Sequence, residues 1–442
     1  MNIGLIEIND SGIDVSIDGQ PVLQSPGYAV IDDQRLLLGT QAMQQARLLP
    51  RWTHTRFWHQ LDTQALAADH PQVRHNADLA FAHLTSIWTA VQADIDQVIL
   101  AVPGDYSSAQ LSLLLGMARE AGLPVRGLVD TALMAAAEHH QTHPLLLLDI
   151  HLHRVTLSLL QTQAGRRQST TQTLPDTGLY RLWDRWANTI ANQFIKDSRY
   201  DPLHLAASEQ QLYDTIPRWI TSREQLIEPT FNLTFDTGVH QTSVSGEQLV
   251  AACVSLYPSI IQAVNARLEP GQPATLLISH RFAGFPGLLD SLAMLSGVTV
   301  ERLSTDAVRQ GIARHIDEIL GTDEQIHHVT SLAQVDAEVD AEVIAVTPLQ
   351  PNRRRATHVL FNNHAFAIGP TLKLTDIDSA LSQEAATAHS GVLQCRADQV
   401  SIEAAGADAV YLNQQLVEGQ IPVKPGDQIV LGHQSFTLIS ID

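Results

Sequence analysis

The chain is 442 residues long, 44% of them hydrophobic, and carries a formal charge of −20 from 47 acidic and 27 basic side chains. That length gives room for two or three domains with large cores, while the acidic balance works against binding to nucleic-acid phosphates or an anionic leaflet. The only cysteines, Cys253 and Cys395, supply neither a disulfide framework nor a thiolate metal site, which fits a reducing cytoplasm.

The opening Met1-Asn2-Ile3-Gly4-Leu5-Ile6-Glu7 lacks a basic stretch followed by a long apolar one, and no apolar run of about eighteen residues occurs, so neither an export leader nor membrane insertion is expected. Strand-like runs lie at Ile3 to Ile8, Gly12 to Ile17, Gln97 to Val102, Leu145 to Ile150, Val155 to Leu160, Ala274 to Ile278 and Val298 to Leu303. Helical spacing lies between them, at Ala77 to Ala93, Ser107 to Ala121, Gly178 to Ile195, Ser208 to Trp219, Gly246 to Arg267 and Phe285 to Leu295. This alternation predicts an α/β domain, its sheets covered by helices, over residues 1–346. Two prolines and the run Arg353-Arg354-Arg355 mark residues 347–357 as a linker, and the short alternating segments of residues 358–442 predict an all-β sandwich.

Several segments of the first domain keep a shared order. Ile3 through Gly19 reads as an opening hairpin, and Leu38-Gly39-Thr40-Gln41-Ala42 is a small-residue stretch closed by Pro50. Val98-Ile99-Leu100-Ala101-Val102-Pro103-Gly104-Asp105-Tyr106 then leads through Ala121-Gly122-Leu123 to Asp130. Leu148-Asp149-Ile150 precedes a second hairpin, and Ile278-Ser279-His280 stands ahead of Phe285-Pro286. In order and spacing this resembles the nucleotide-binding domain of DnaK-type heat-shock chaperones, within the actin-like ATPase superfamily. The resemblance implies a two-lobed, ribonuclease-H-like α/β fold with ATP and magnesium held between two hairpins.

It also implies which residues occupy the nucleotide cleft, and there the chain departs from the pattern. The metal-organising aspartate falls at Ile6, a hairpin glycine at Ile8, and the three-glycine run of the second hairpin at His151-Leu152-His153. The glycine pair of the adenosine loop falls at Ser279-His280 and the water-positioning lysine at Met43, while Lys196, Lys373 and Lys424, the only lysines, lie outside the cleft segments. Asp130 and Asp149 keep acidic positions, and Glu7 and Asn9 flank the altered first turn. Backbone N–H groups reach a phosphate only where glycines leave room, and phosphoryl transfer depends on placed cations, one missing cation costing on the order of a thousandfold. Losing cradle, metal ligand and lysine together predicts a pseudo-ATPase without a cofactor, acting through protein partners as an interaction or scaffold component and open to oligomerisation. A one-residue shift that brought Glu7 or Asp10 to the aspartate's place would turn the side chain to the other face of the strand.

Two alternatives follow from the same residues. One is a slow ATPase or nucleotide-gated switch that holds ATP with magnesium through Asp130 and Asp149. The other is a histidine-based metal site, because His151 and His153 share one strand face and His280 belongs to the same cleft.

Residues 358–442 resemble a forkhead-associated domain through Ile368-Gly369-Pro370, Tyr411-Leu412-Asn413 and Pro425-Gly426-Asp427-Gln428-Ile429-Val430-Leu431-Gly432. In that family an arginine after the early glycine and a loop asparagine hold phosphothreonine. Pro370 and Asp408 stand at those places, with Asn413 just beyond, so the resemblance implies a protein-binding sandwich without phosphate dependence.

Overall fold

The computed structural model describes residues 2–32, 35–70, 73–139, 143–222, 230–235, 238–253, 256–269, 271–282, 285, 287–320, 325–333, 356–361, 364–374, 391–396, 399–404, 409–413, 415–417, 419–424, 427–431 and 434–439. Two compact units make up the chain, Met1–Glu338 and Val339–Asp442. Most of the expected linker, with Arg353-Arg354-Arg355, lies outside the described residues, as does Asp408.

The first unit is mixed α/β and contains two six-stranded sheets that share one plan over five strands each; the sixth strand of one, His327–Val329, extends its parallel edge, and the sixth of the other, Ser331–Ala333, pairs antiparallel with Arg166–Pro175. In one, Ile3–Glu7 pairs antiparallel with Ile13–Ile17, which in turn pairs with Gln20–Ser25. On its other side Ile3–Glu7 runs parallel to Gln97–Val102, followed by Val125–Asp130 and His327–Val329. In the other sheet Leu145–Ile150 takes the equivalent place. It pairs antiparallel with Arg154–Gln163, which pairs with Arg166–Pro175, and it runs parallel to Ala274–Ile278 and then Val298–Arg302.

Parallel neighbours need crossovers, and helices supply them. Asn76–Val91 and Ser108–Glu120 serve the first sheet, and Leu179–Ser198, Ala206–Ser222, Gly246–Ala252, Tyr257–Asn265 and Leu288–Ala293 the second. Ser108–Glu120 starts where Ser107 and Gln110 form a reciprocal capping box, satisfying N–H groups that the helix leaves free. Leu145–Ile150 is buried at every position, as a strand covered on both faces must be, which explains the apolar run Leu145 to Leu148 that ends at Asp149.

One expectation changes, and a strand is added to those the sequence predicts. Gly246 to Arg267 is two helices, because Pro258 at the second position of Tyr257–Asn265 has no N–H and its ring clashes with a preceding turn. Arg166–Pro175 is a ten-residue strand that carries arginine, threonine and glutamine instead of an apolar alternation, and its neighbour's ladder dictates it.

In the second unit a six-stranded and a four-stranded sheet, both antiparallel, contribute to one apolar cluster that includes Val359, Leu393, Ile402, Ile429 and Phe436.

Candidate functional site

Ile3–Glu7 and Leu145–Ile150, the equivalent strands of the two sheets, run at their carboxyl ends into turns that meet. A crevice at the carboxyl ends of strands is where open α/β sheets place ligands. From the first turn Asn9 donates through Nδ2 to Asp149 Oδ2 at 3.1 Å and to the Ile150 carbonyl at 3.2 Å. Its Oδ1 accepts from the N–H and hydroxyl of Ser11, so the whole amide is engaged. Asp10 Oδ1 accepts the Leu152 N–H at 2.8 Å and lies 3.5 Å from His151 Nδ1.

Arg281 and the buried Arg154 supply the positive charge. Arg281, 10% exposed, reaches Glu7 Oε1 with Nη2 at 2.8 Å and Asp149 Oδ2 with Nη1 at 3.3 Å, so one guanidinium joins the two turns. Arg154, 2% exposed, forks onto Asp105 with Nε at 2.6 Å and Nη2 at 3.1 Å, while its Nη1 lies 3.0 Å from His59 Nδ1 and 3.8 Å from Asp10 Oδ2. Thr173 Oγ1 donates to Asp105 as well. Burial alone would raise the Asp149 and Asp10 carboxyls. Arg281 and His151 beside the first, and His151 and Arg154 beside the second, hold both below the ordinary carboxylate range.

A helix N-terminus can hold an anion through its free N–H groups. Here the N–H groups of Leu179 and Tyr180, opening Leu179–Ser198, donate to the His151 and Leu152 carbonyls, each at 2.9 Å. Gly178 makes this approach possible, since a Cβ there would stand 2.4 Å from Leu152 O and 2.5 Å from Arg154 N. The room left between the turns, lined by Glu7, Asn9, Gly104, Asp149, His151 and Ser158, is about 20 Å³. That holds about one water molecule, whereas small-molecule sites run to roughly 300 Å³ and more. Nearby, a second cavity of about 230 Å³ is lined by Ser279, His280, Phe282, Leu289, Arg302 and Thr305.

The chain matches no family model and no curated protein. What the site can do therefore rests on its own residues.

Of the residues singled out in the sequence, Glu7, Asn9, Asp149 and His151 come together at the turns. Ile6 does not: it is fully buried in an apolar cluster with Ile8, Ile13 and Val15, on the face of the strand opposite Glu7. Met43 packs against another cluster, and its carbonyl accepts from Gln210 Nε2. Asp130 caps the short helix Thr131–Ala135, accepting from Leu133 N and from Ser169 Oγ at 2.7 Å, and burial pushes its carboxyl up. His153 turns to Thr55, 2.9 Å from its Oγ1, and lies against the Tyr180 ring; burial lowers it to about 4. Ser279 donates its N–H to the Leu148 carbonyl and accepts from Arg281 N, while His280 is half-buried beside the larger cavity.

Among the described residues, no group of three or more His, Cys, Asp or Glu could hold a metal ion, and no single helix is long and apolar enough to cross a membrane. In the second unit Pro370 is exposed. Asn413 has a left-handed backbone, φ +48°, and its amide closes its own corner, Nδ2 donating to Asp427 Oδ1 and Oδ1 accepting from Gln428 N, both at 2.9 Å.

The arginines were hidden to a lysine count. Arg154 opens a strand with apolar residues at Val155, Leu157, Leu159 and Leu160, and Arg281 follows the altered glycine pair, so a charge placed where burial is expected was the available signal. Asp105 carried no such mark.

Proposed function

We propose that the first unit is an actin-like, DnaK-related fold whose nucleotide cleft has become a structural ion-pair core, and that the protein works as a pseudo-ATPase in a protein-interaction or scaffold role in the cytoplasm. The observation that carries this is Arg281, whose guanidinium joins Glu7 and Asp149 beside a space of about 20 Å³. A magnesium ion or a phosphate would need that carboxylate charge and that volume. The repeated strand order, an antiparallel trio extended by parallel strands in both sheets, agrees with a duplicated ribonuclease-H-like plan. For the second unit the reading is a forkhead-associated-like sandwich that binds protein without phosphate, because Pro370 offers no donor and the Asn413 amide is already bonded.

Steady-state ATP turnover by the full chain tests the reading, with a value at the no-protein background expected. Hydrolysis that scales with protein concentration and vanishes on mutating Asp149 would overturn it. One observation favours a second reading, residual nucleoside binding without catalysis: the cavity of about 230 Å³ beside Ser279 and His280. Adenosine and ATP would then bind equally, since the phosphates would gain no contact.

A further inference from the structure

The amino end of Leu145–Ile150, away from the turns that meet at its carboxyl end, borders a cavity of about 270 Å³ that takes no part in the ion-pair core. Its floor is apolar: Leu145 and Leu160 pair across the ladder and so share one face. Thr162, two residues on, lies on the same face and stands directly opposite Arg167. Arg167 is 1% exposed, and its Nη1 donates to the Ala136 carbonyl at 2.9 Å. Burial draws this guanidinium below the ordinary arginine value, a cost that a nearby anion relieves. Glu269 and Gln272 also line the cavity; both are exposed, and the Gln272 N–H donates to the Glu269 carbonyl at 3.1 Å, which ties them into one turn. Thr275 fixes the rim, its N–H donating to the Pro144 carbonyl at 3.2 Å and its Oγ1 lying 2.8 Å from His143 Nε2.

We propose that this cavity binds a small polar amino acid, its carboxylate toward Arg167 and its ammonium toward Glu269. Among the described residues of the lining, Arg167 is the one arginine and Glu269 the one acid, so the cavity offers one fixed charge of each sign. A zwitterion answers both. A dianion would also meet Glu269, and a cation would meet Arg167, whose buried charge is poorly screened by salt. The volume lies just under the roughly 300 Å³ at which sites for drug-sized ligands begin, which suits a ligand the size of an amino acid. Gln161, Thr162 and Gln272 give the walls both donors and acceptors, a match for an amide or hydroxyl side chain and a poor one for an apolar side chain.

The inference holds whether or not the cleft takes nucleotide, because the cavity lies at the other end of the strand from Asp149. Its test is the melting temperature of the first unit in the full chain with three probes, each at about 10 mM: L-glutamine, L-glutaminamide, which lacks the carboxylate, and glutaramate, which lacks the ammonium. L-Glutamine is expected to raise the transition by about 2 °C, glutaramate by about half as much, and L-glutaminamide not at all. Thr162→Phe, at an exposed position beside Arg167, should fill the cavity and abolish the rise. Glu269→Gln should reduce the response to L-glutamine to that of glutaramate, and as a change at an exposed side chain it carries the test should Thr162→Phe fail to fold. No rise with L-glutamine, equal rises with all three probes, or a rise unchanged in both variants would overturn the proposal.

Discussion

The two turns at the ends of Ile3–Glu7 and Leu145–Ile150 occupy equivalent places in two sheets of the same plan, yet they carry opposite charge. The first turn offers Glu7 and Asp10; the second offers Arg154, with Arg281 joining from just beyond Ala274–Ile278, while burial keeps the His153 ring neutral down to about 4. Asp149, at the end of the second strand, is shared between them through Asn9 and Arg281. The difference sets cations opposite buried anions, so facing side chains neutralise one another where the turns meet.

The largest expected effect comes from breaking the deeper pair. Arg154→Ala strands Asp10 and Asp105 without their guanidinium, and removing one partner of a buried pair costs about 3–5 kcal/mol. Urea unfolding followed by tryptophan emission reads the first unit alone, since all six tryptophans precede residue 220. A loss under about 1 kcal/mol would mean that the pair is solvated and that the charge comparison fails.

Acid should separate the two turns. Burial holds the His153 ring neutral down to about 4 from an ordinary 6.5, so the unfolded chain takes up the proton first and stability falls as pH drops from 6.5 to 4. The full effect is about 3 kcal/mol by the conversion of about 1.4 kcal/mol per pH unit. His153→Gln should make that part of the urea-midpoint curve shallower, the rest of the fall staying with His83, which burial also lowers to about 4. Asp10 and Asp149, held below the ordinary carboxylate value of 3.8, stabilise the fold above that pH and lose their contribution only as pH falls further. A single loss confined below pH 4 in the wild type would assign the acid sensitivity to the carboxylates alone.

Smaller effects sharpen the geometry. Gly178→Ala places a methyl group against the backbone of Leu152 and Arg154, an overpacking worth about 1–3 kcal/mol, and it should speed hydrogen exchange at the Leu179 and Tyr180 amides. Ser107→Ala removes a helix cap distant in kind from the turns, costs about 1 kcal/mol, and should leave exchange at those amides unchanged.

Much of the fold was legible in local pattern. Gln97–Val102, Leu145–Ile150 and Ala274–Ile278 stand where their apolar runs predict, and Ser107 caps the helix it precedes. Arg166–Pro175 was not legible, because a polar strand is specified by the neighbour it pairs with. At the site, the bulky residues in the turns were visible one by one, but their charge partners were not. Glu7 meets Arg281 across 274 residues of sequence and Arg154 meets Asp105 across 49, and no local spacing encodes such contacts. Counting lysines also looked for the wrong cation, since a buried bridge between two carboxylates suits the planar fork of arginine.

The most direct test of the central claim is the melting temperature of the first unit's transition in the full chain, followed by tryptophan emission, with and without saturating ATP and magnesium. A ligand at a hundred times its dissociation constant adds about 2.7 kcal/mol, enough to move the transition by several degrees. With the turns joined by Arg281 and Arg154, no shift is expected in the wild type. A clear rise with Mg-ATP, absent with adenosine, would show that the cleft opens to take phosphate and would contradict the account.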